Sequence, residues 1–134
     1  MADARFRTIV TKVEDKPGVL ARVAGLFARR GFNIESLAVG PSEEDGASRI
    51  TLVVCGDDRE VEQVIKQLNK LIDVIKVSDL TGFERVEREL ALIKVAGKGE
   101  KRMESLRLAE IYGAKVIDAS TEHFVFQVTG ASPE

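Results

Sequence analysis

The stretch Val13–Leu37, VEDKPGVLARVAGLFARRGFNIESL, decides the fold of this chain. A β-like segment ends in Asp15-Lys16-Pro17-Gly18, and Pro17 suits the first turn of a helix. From Val19 the apolar positions are 19, 20, 23, 26 and 27, the spacing of one helical face, with Arg22, Arg29 and Arg30 off it. Gly31 is placed to end the helix in the left-handed conformation. Gly25 is mid-helix, and close packing against a sheet is a reason to expect it there. Asn33-Ile34 then starts a second strand.

Outward from this run the pattern continues. Phe6–Val13 alternates Phe6, Thr8, Val10 and Lys12 with Arg7, Ile9, Thr11 and Val13, and reads as a strand. Phe32–Val39 is the second strand, broken by Gly40-Pro41 and followed by a solvated loop, Ser42 to Gly46. Ser48–Cys55 is a third, with Ile50, Leu52 and Val54 on one face. Asp57 opens a second helix, with Glu60 three residues on as a capping partner. Its apolar stripe is Val61, Val64, Ile65, Leu68 and Leu71, and Val74–Val77 is a fourth strand. The order β-α-β-β-α-β over residues 1–80 predicts an α+β, ferredoxin-like unit: one antiparallel four-stranded sheet with both helices on one face. Right-handed crossovers put strands one and three at its centre and strand two at an edge, where a second copy can pair.

After the charged stretch Glu84–Glu89 comes a second unit, residues 81–134. Leu90–Val95 is a strand, Lys101–Tyr112 a helix ending at Gly113, and Lys115–Ala119 and Phe124–Thr129 are strands. This is β-α-β-β, an incomplete ferredoxin-like plan without a second helix. Apolar strand residues among Leu92, Val95, Val116, Phe124, Phe126 and Val128 are therefore expected to stay open to water.

The chemistry on offer is sparse. The single cysteine, Cys55, excludes an intrachain disulfide and reads as a small buried hydrophobe. The single histidine, His123, has no partners at metal-ligand spacing, and reads as an exposed or edge residue. No catalytic signature of the GxSxG, HExxH, CxxC or phosphate-loop kind occurs, so the chain is not expected to be an enzyme. Gly97-Lys98-Gly99 reads as a plain loop. A net charge of -2, spread evenly, argues against nucleic-acid binding. No apolar run reaches the ~20 residues of a membrane span, and the first residues lack a secretory apolar segment. The setting expected is cytoplasmic.

The Asp15-to-Gly18 turn differs. Free amides at the start of a helix favour a carboxylate or phosphate. Gly18 lets a ligand approach the backbone. Asp15 either caps the helix or accepts from an ammonium group, and Asn33 both donates and accepts. Apolar Val13, Val19, Leu20 and Ile34 suit an aliphatic side chain. The set fits a zwitterion; a tight strand-to-helix turn with no ligand is the equal alternative.

At these residues the chain resembles a known family. DKPGVLARVAGLFARRGFNIESLAV, LNKLIDVIKVSDL and VERELALIKV are similar to the regulatory (small) subunits of acetohydroxyacid synthase, also called acetolactate synthase. The likeness covers essentially the whole chain, and its first unit resembles an ACT domain, an amino-acid-binding regulatory module. The Pro-Gly-Val-Leu turn is common to many ACT domains. Arg-Gly-Phe-Asn-Ile-Glu-Ser-Leu and Val-Glu-Arg-Glu-Leu are more specific to the small subunit. The resemblance implies a non-catalytic subunit that activates a catalytic (large) subunit in branched-chain amino-acid synthesis. It implies feedback inhibition by valine, with leucine or isoleucine as further effectors. Thiamine diphosphate, Mg²⁺ and FAD would belong to the catalytic partner, with no cofactor in this chain. The effector would sit between two ACT domains of a homodimer paired through edge strands. Asp15, Gly18, Val19 and Leu20 of one chain would face Asn33 and Ile34 of the other. Asp15 stands where several relatives carry Asn, and the family's C-terminal domain normally runs past the end of this chain. The competing function is a free-standing amino-acid sensor acting on another enzyme or on transcription.

Overall fold

The computed structural model describes residues 5–131, in two units that divide between Arg85 and Val86. The first contains β1 (Arg5–Glu14), α1 (Val19–Arg29), β2 (Ile34–Pro41), β3 (Ala47–Gly56), α2 (Asp58–Leu68) and β4 (Val74–Asp79). The sheet order is β2-β3-β1-β4, antiparallel at each pairing. The expected ferredoxin-like topology is therefore present, with β1 and β3 central and β2 at an edge.

Strand alternation puts one face of β1 and β3 against the helices. Ile9 pairs with Leu52 and Thr11 with Ile50, and all four are fully buried. Val19, Val23, Leu26 and Phe27 of α1 and Val61, Val64 and Leu68 of α2 close over them. Burying each such side chain stabilises by about 1.5–3 kcal/mol, so this layer carries most of the unit's stability.

The helix ends follow from single residues. Gly31, at φ 79°, donates to Ala28 O at 3.0 Å, and Phe32 N–H donates to Phe27 O at 3.0 Å. This is the Schellman closure, and its apolar contact is the Phe27–Phe32 edge-to-face pair at 5.9 Å. Gly25 gives a different result from the expectation. A methyl group there would meet only Arg29 Nη1, at 3.6 Å, so no close sheet contact explains it.

Other expectations are corrected as well. β2 runs through Gly40-Pro41, and Pro41 pairs with Ser48. An edge strand tolerates a proline because one side of its backbone needs no partner. Cys55 is exposed: it alternates with buried Val54 and pairs with Phe6 on the helix-free face. Glu43 and Glu44 are not merely solvated, since they reach Lys12 Nζ at 3.1 and 2.7 Å. Their hydrogen bonds, Glu44's first, raise the Lys12 pKa. The first unit also continues past Leu80. Arg85 donates to Leu80 O at 3.0 Å, Phe83 O at 3.3 Å and Thr8 Oγ1 at 3.4 Å, tying 81–85 to β1.

The second unit contains β5 (Glu89–Ala96), α3 (Glu100–Ile111), β6 (Lys115–Ala119) and β7 (His123–Gly130), in sheet order β5-β7-β6. Phe124 and Phe126 are buried, contrary to expectation. Arg102 of α3 covers the Phe124 ring at 3.9 Å. Leu92 and Val116 remain exposed, as expected. α3 buries none of its residues fully. A groove of about 510 Å³, lined by Ile93, Val95, Leu108, Tyr112, Phe126 and Val128, lies between α3 and the sheet.

Candidate functional site

The β1–α1 turn is held by backbone. Glu14 N–H donates to Asp73 O at 2.9 Å, Asp15 N–H to Gly46 O at 2.9 Å and Lys16 N–H to Glu14 O at 3.0 Å. Gly18 is the N-cap of α1 at φ 84°, a conformation that disfavours any side chain. No side chain caps α1, and no acid lies in its first turn. Its partial positive charge is therefore unanswered within the helix. The start of α2 is the opposite. Asp57 Oδ1 accepts from Glu60 N–H at 2.8 Å, and Glu60 Oε1 accepts from Asp57 N–H at 3.4 Å. The Glu60 amide, chiefly, holds the Asp57 carboxyl below the usual range.

Asp15 is exposed, and its carboxylate makes no hydrogen bond or ion pair among the described residues. It does not cap α1. Val13 and Val19 are core residues at 2% and 3% exposure, and the Val19 N–H donates to Lys16 O at 3.4 Å. Leu20 is 40% exposed and supplies apolar surface beside the turn.

Asn33 and Ile34 lie beyond the far end of α1. The helix has 11 residues, roughly 16 Å at 1.5 Å per residue. One chain does not bring Gly18 and Asn33 together. Asn33 is exposed, and its Nδ2 donates to Glu35 Oε1 at 3.1 Å. Ile34 is half-buried opposite Val54. Leu37 and Val39 follow on the same edge strand, exposed at 43% and 48%.

Two residues at the turn escaped the sequence reading. Asp73 is buried and pairs with Arg22 Nη2, and Lys16 Nζ approaches it to 3.9 Å. Lys16 also binds Glu14 at 2.6 Å, and that hydrogen bond raises its pKa. The only sequence signal was a lone acid in the apolar run Leu71-Ile72-Asp73-Val74. Arg7, on the same side of β1 as Ile9, is buried between Asp58 at 2.5 Å and Asp79. Burial pushes the Asp79 carboxyl up, but Thr81 and Arg7 hold it below its ordinary value.

Elsewhere the chemistry is structural. His123 Nδ1 meets Ser120 Oγ at 2.8 Å in the β6–β7 turn. Lys98 pairs with Glu122 at 3.0 Å. Among the described residues no group of three His, Cys, Asp or Glu is placed to hold a metal, and no helix is long and apolar enough to cross a membrane.

Residues 9–76 match the family model for the AHAS small subunit-like ACT domain, and residues 88–134 match that for the small subunit of acetolactate synthase. The chain is 61% identical over 123 residues to a probable acetolactate synthase small subunit of Archaeoglobus fulgidus, covering 92% of this chain and 77% of that one. It is 52% identical over 127 residues to the acetolactate synthase small subunit of Aquifex aeolicus, covering 94% of this chain and 66% of that one. The crystal structure of the acetolactate synthase small subunit from Thermotoga maritima superposes with a TM-score of 0.86 at 47% identity, covering 95% of this chain and 80% of that one.

Proposed function

The chain belongs to the acetolactate synthase small-subunit family, and from that premise we propose that it controls an acetolactate synthase catalytic subunit in response to valine. In this reading the chain raises the catalytic subunit's activity and valine reverses the effect. Thiamine diphosphate, Mg²⁺ and FAD serve the partner, and the chain itself turns nothing over. Two copies pair along β2 into one continuous sheet, and the start of α1 in one faces Asn33 and Ile34 of the other.

The observation that carries the reading is the uncapped start of α1 beside Gly18, in a unit whose other helix has a full capping box. A ligand carboxylate would answer those amides. The Asp15 carboxylate, which has no partner among the described residues, would take the ammonium group, and Leu20 and Ile34 would meet the aliphatic side chain. Valine then acts by preferring one state of the assembly, with a coupling of about 1–3 kcal/mol.

The test is reconstitution. Adding the full chain to the purified catalytic subunit is expected to increase acetolactate formation, and valine is expected to lower it again. A catalytic subunit that neither binds the chain nor gains activity from it contradicts the proposal. Stimulation without any valine response contradicts the effector assignment alone.

A further inference from the structure

Arg22 lies one turn into α1, and its guanidinium fork has two different neighbours. Nη2 is held by Asp73, which is 7% exposed. Nη1 stands on the other side, where a methyl group on Gly18 would lie 3.7 Å away. Among the described residues Nη1 makes no hydrogen bond. Asp73 is itself fixed, because its backbone carbonyl accepts from Glu14 N–H at 2.9 Å. The fork is thus tied at one nitrogen and open at the other, beside the helix start that lacks an anion. Neutralising Asp73 does not need a fork, since a point charge such as Lys16 already approaches it at 3.9 Å. A planar group with a second donor suits a second carboxylate.

We propose that Arg22 is a specificity-determining residue of the effector site, binding the amino acid's carboxylate through Nη1 while Asp73 acts as the positioning residue that aims it. The inference rests on the reading that the effector binds at the Gly18 turn. The ligand carboxylate then lies between the first amides of α1 and the guanidinium, which selects free amino acids over their amides. The aliphatic side chain has no part in that selection.

The test is calorimetry of the full chain with valine and with valinamide, which keeps the ammonium and isopropyl groups but carries no carboxylate. Wild type is expected to bind valine well above valinamide. Arg22→Gln is expected to weaken valine by about tenfold or more, the scale of a lost charge-assisted hydrogen bond. Valinamide binding is expected to stay unchanged, so the gap between the two ligands closes. Asp73→Asn should give a smaller loss, again for valine only. If it melts below the titration temperature, Asp73→Glu, which retains the charge, should bind valine within a few-fold of wild type. Equal wild-type binding of the two ligands overturns the proposal. So does an Arg22→Gln protein that binds valine as wild type does, or that loses both ligands alike. Gly18→Asp separates the two levels. Loss of valine in Gly18→Asp but not in Arg22→Gln leaves the turn as the site and removes Arg22 from it. Wild-type binding in both removes the site reading as well.

Discussion

The starts of α1 and α2 solve one problem in opposite ways. Both begin with amides that have no partner within the helix, at a positive dipole end. α2 answers with Asp57 and Glu60 from its own sequence. α1 begins at a left-handed glycine with no side-chain cap and no acid in its first turn. Both helices supply buried residues to the same core, so packing does not account for the difference. The start of α2 is closed by its own sequence, and the start of α1, left open, is where the proposed function puts the ligand. Asp73, the acid that reaches Arg22 of α1, is buried and already taken up by that pair.

The largest effect that would break this contrast is at Gly18. Gly18→Asp places a side chain at φ 84°, costing about 1–2 kcal/mol of strain, and puts a negative charge where the ligand's carboxylate belongs. Valine inhibition of the reconstituted enzyme is expected to vanish. Asn33→Ala is next, since it removes one polar partner from the facing half-site. The valine concentration for half-inhibition should rise by about tenfold. Asp57→Ala should act on α2 alone: the melting temperature falls by roughly 5 °C, the scale of one lost cap in a small domain, and the valine response does not move.

Acid sharpens the same comparison. The Asp57 pKa is depressed in the folded protein, chiefly by the Glu60 amide. Its contribution is therefore fully present above the unfolded value of 3.8 and is lost as pH falls through the folded value. Asp57→Asn keeps a capping side chain without the charge, so it should flatten the acid limb of a melting-temperature profile below about pH 4. The smallest effect is at Gly25. A methyl group there meets only the end of Arg29, so Gly25→Ala should stabilise α1 by up to about 1 kcal/mol. A thermal melt reads it directly.

Most of the first unit was legible in the sequence because its signals are local. Apolar spacing of 3.6 and 2 marks α1, α2 and the strands, and Gly31 and Asp57 mark helix ends. Errors came where a tertiary setting overrode a local rule. Pro41 continues a strand because β2 is an edge. Cys55 is exposed because no helix covers its face of β1 and β3. The second unit shows the limit differently. Its order of elements was readable, but Phe124 is closed off by Arg102 through a contact no periodicity encodes. At the candidate site Gly18 and Asn33 stood out by residue type. Arg22 and Asp73 did not, because 51 residues separate them and only the apolar run around Asp73 marks either one.

In the proposed function the open start of α1 binds an aliphatic amino acid. Calorimetric titration of the full chain with valine, beside its Gly18→Asp and Asp57→Ala variants, tests it most directly. Saturable heat for wild type and Asp57→Ala, and none for Gly18→Asp, is the predicted result. No saturable binding by wild type, or equal binding by Gly18→Asp, would contradict it.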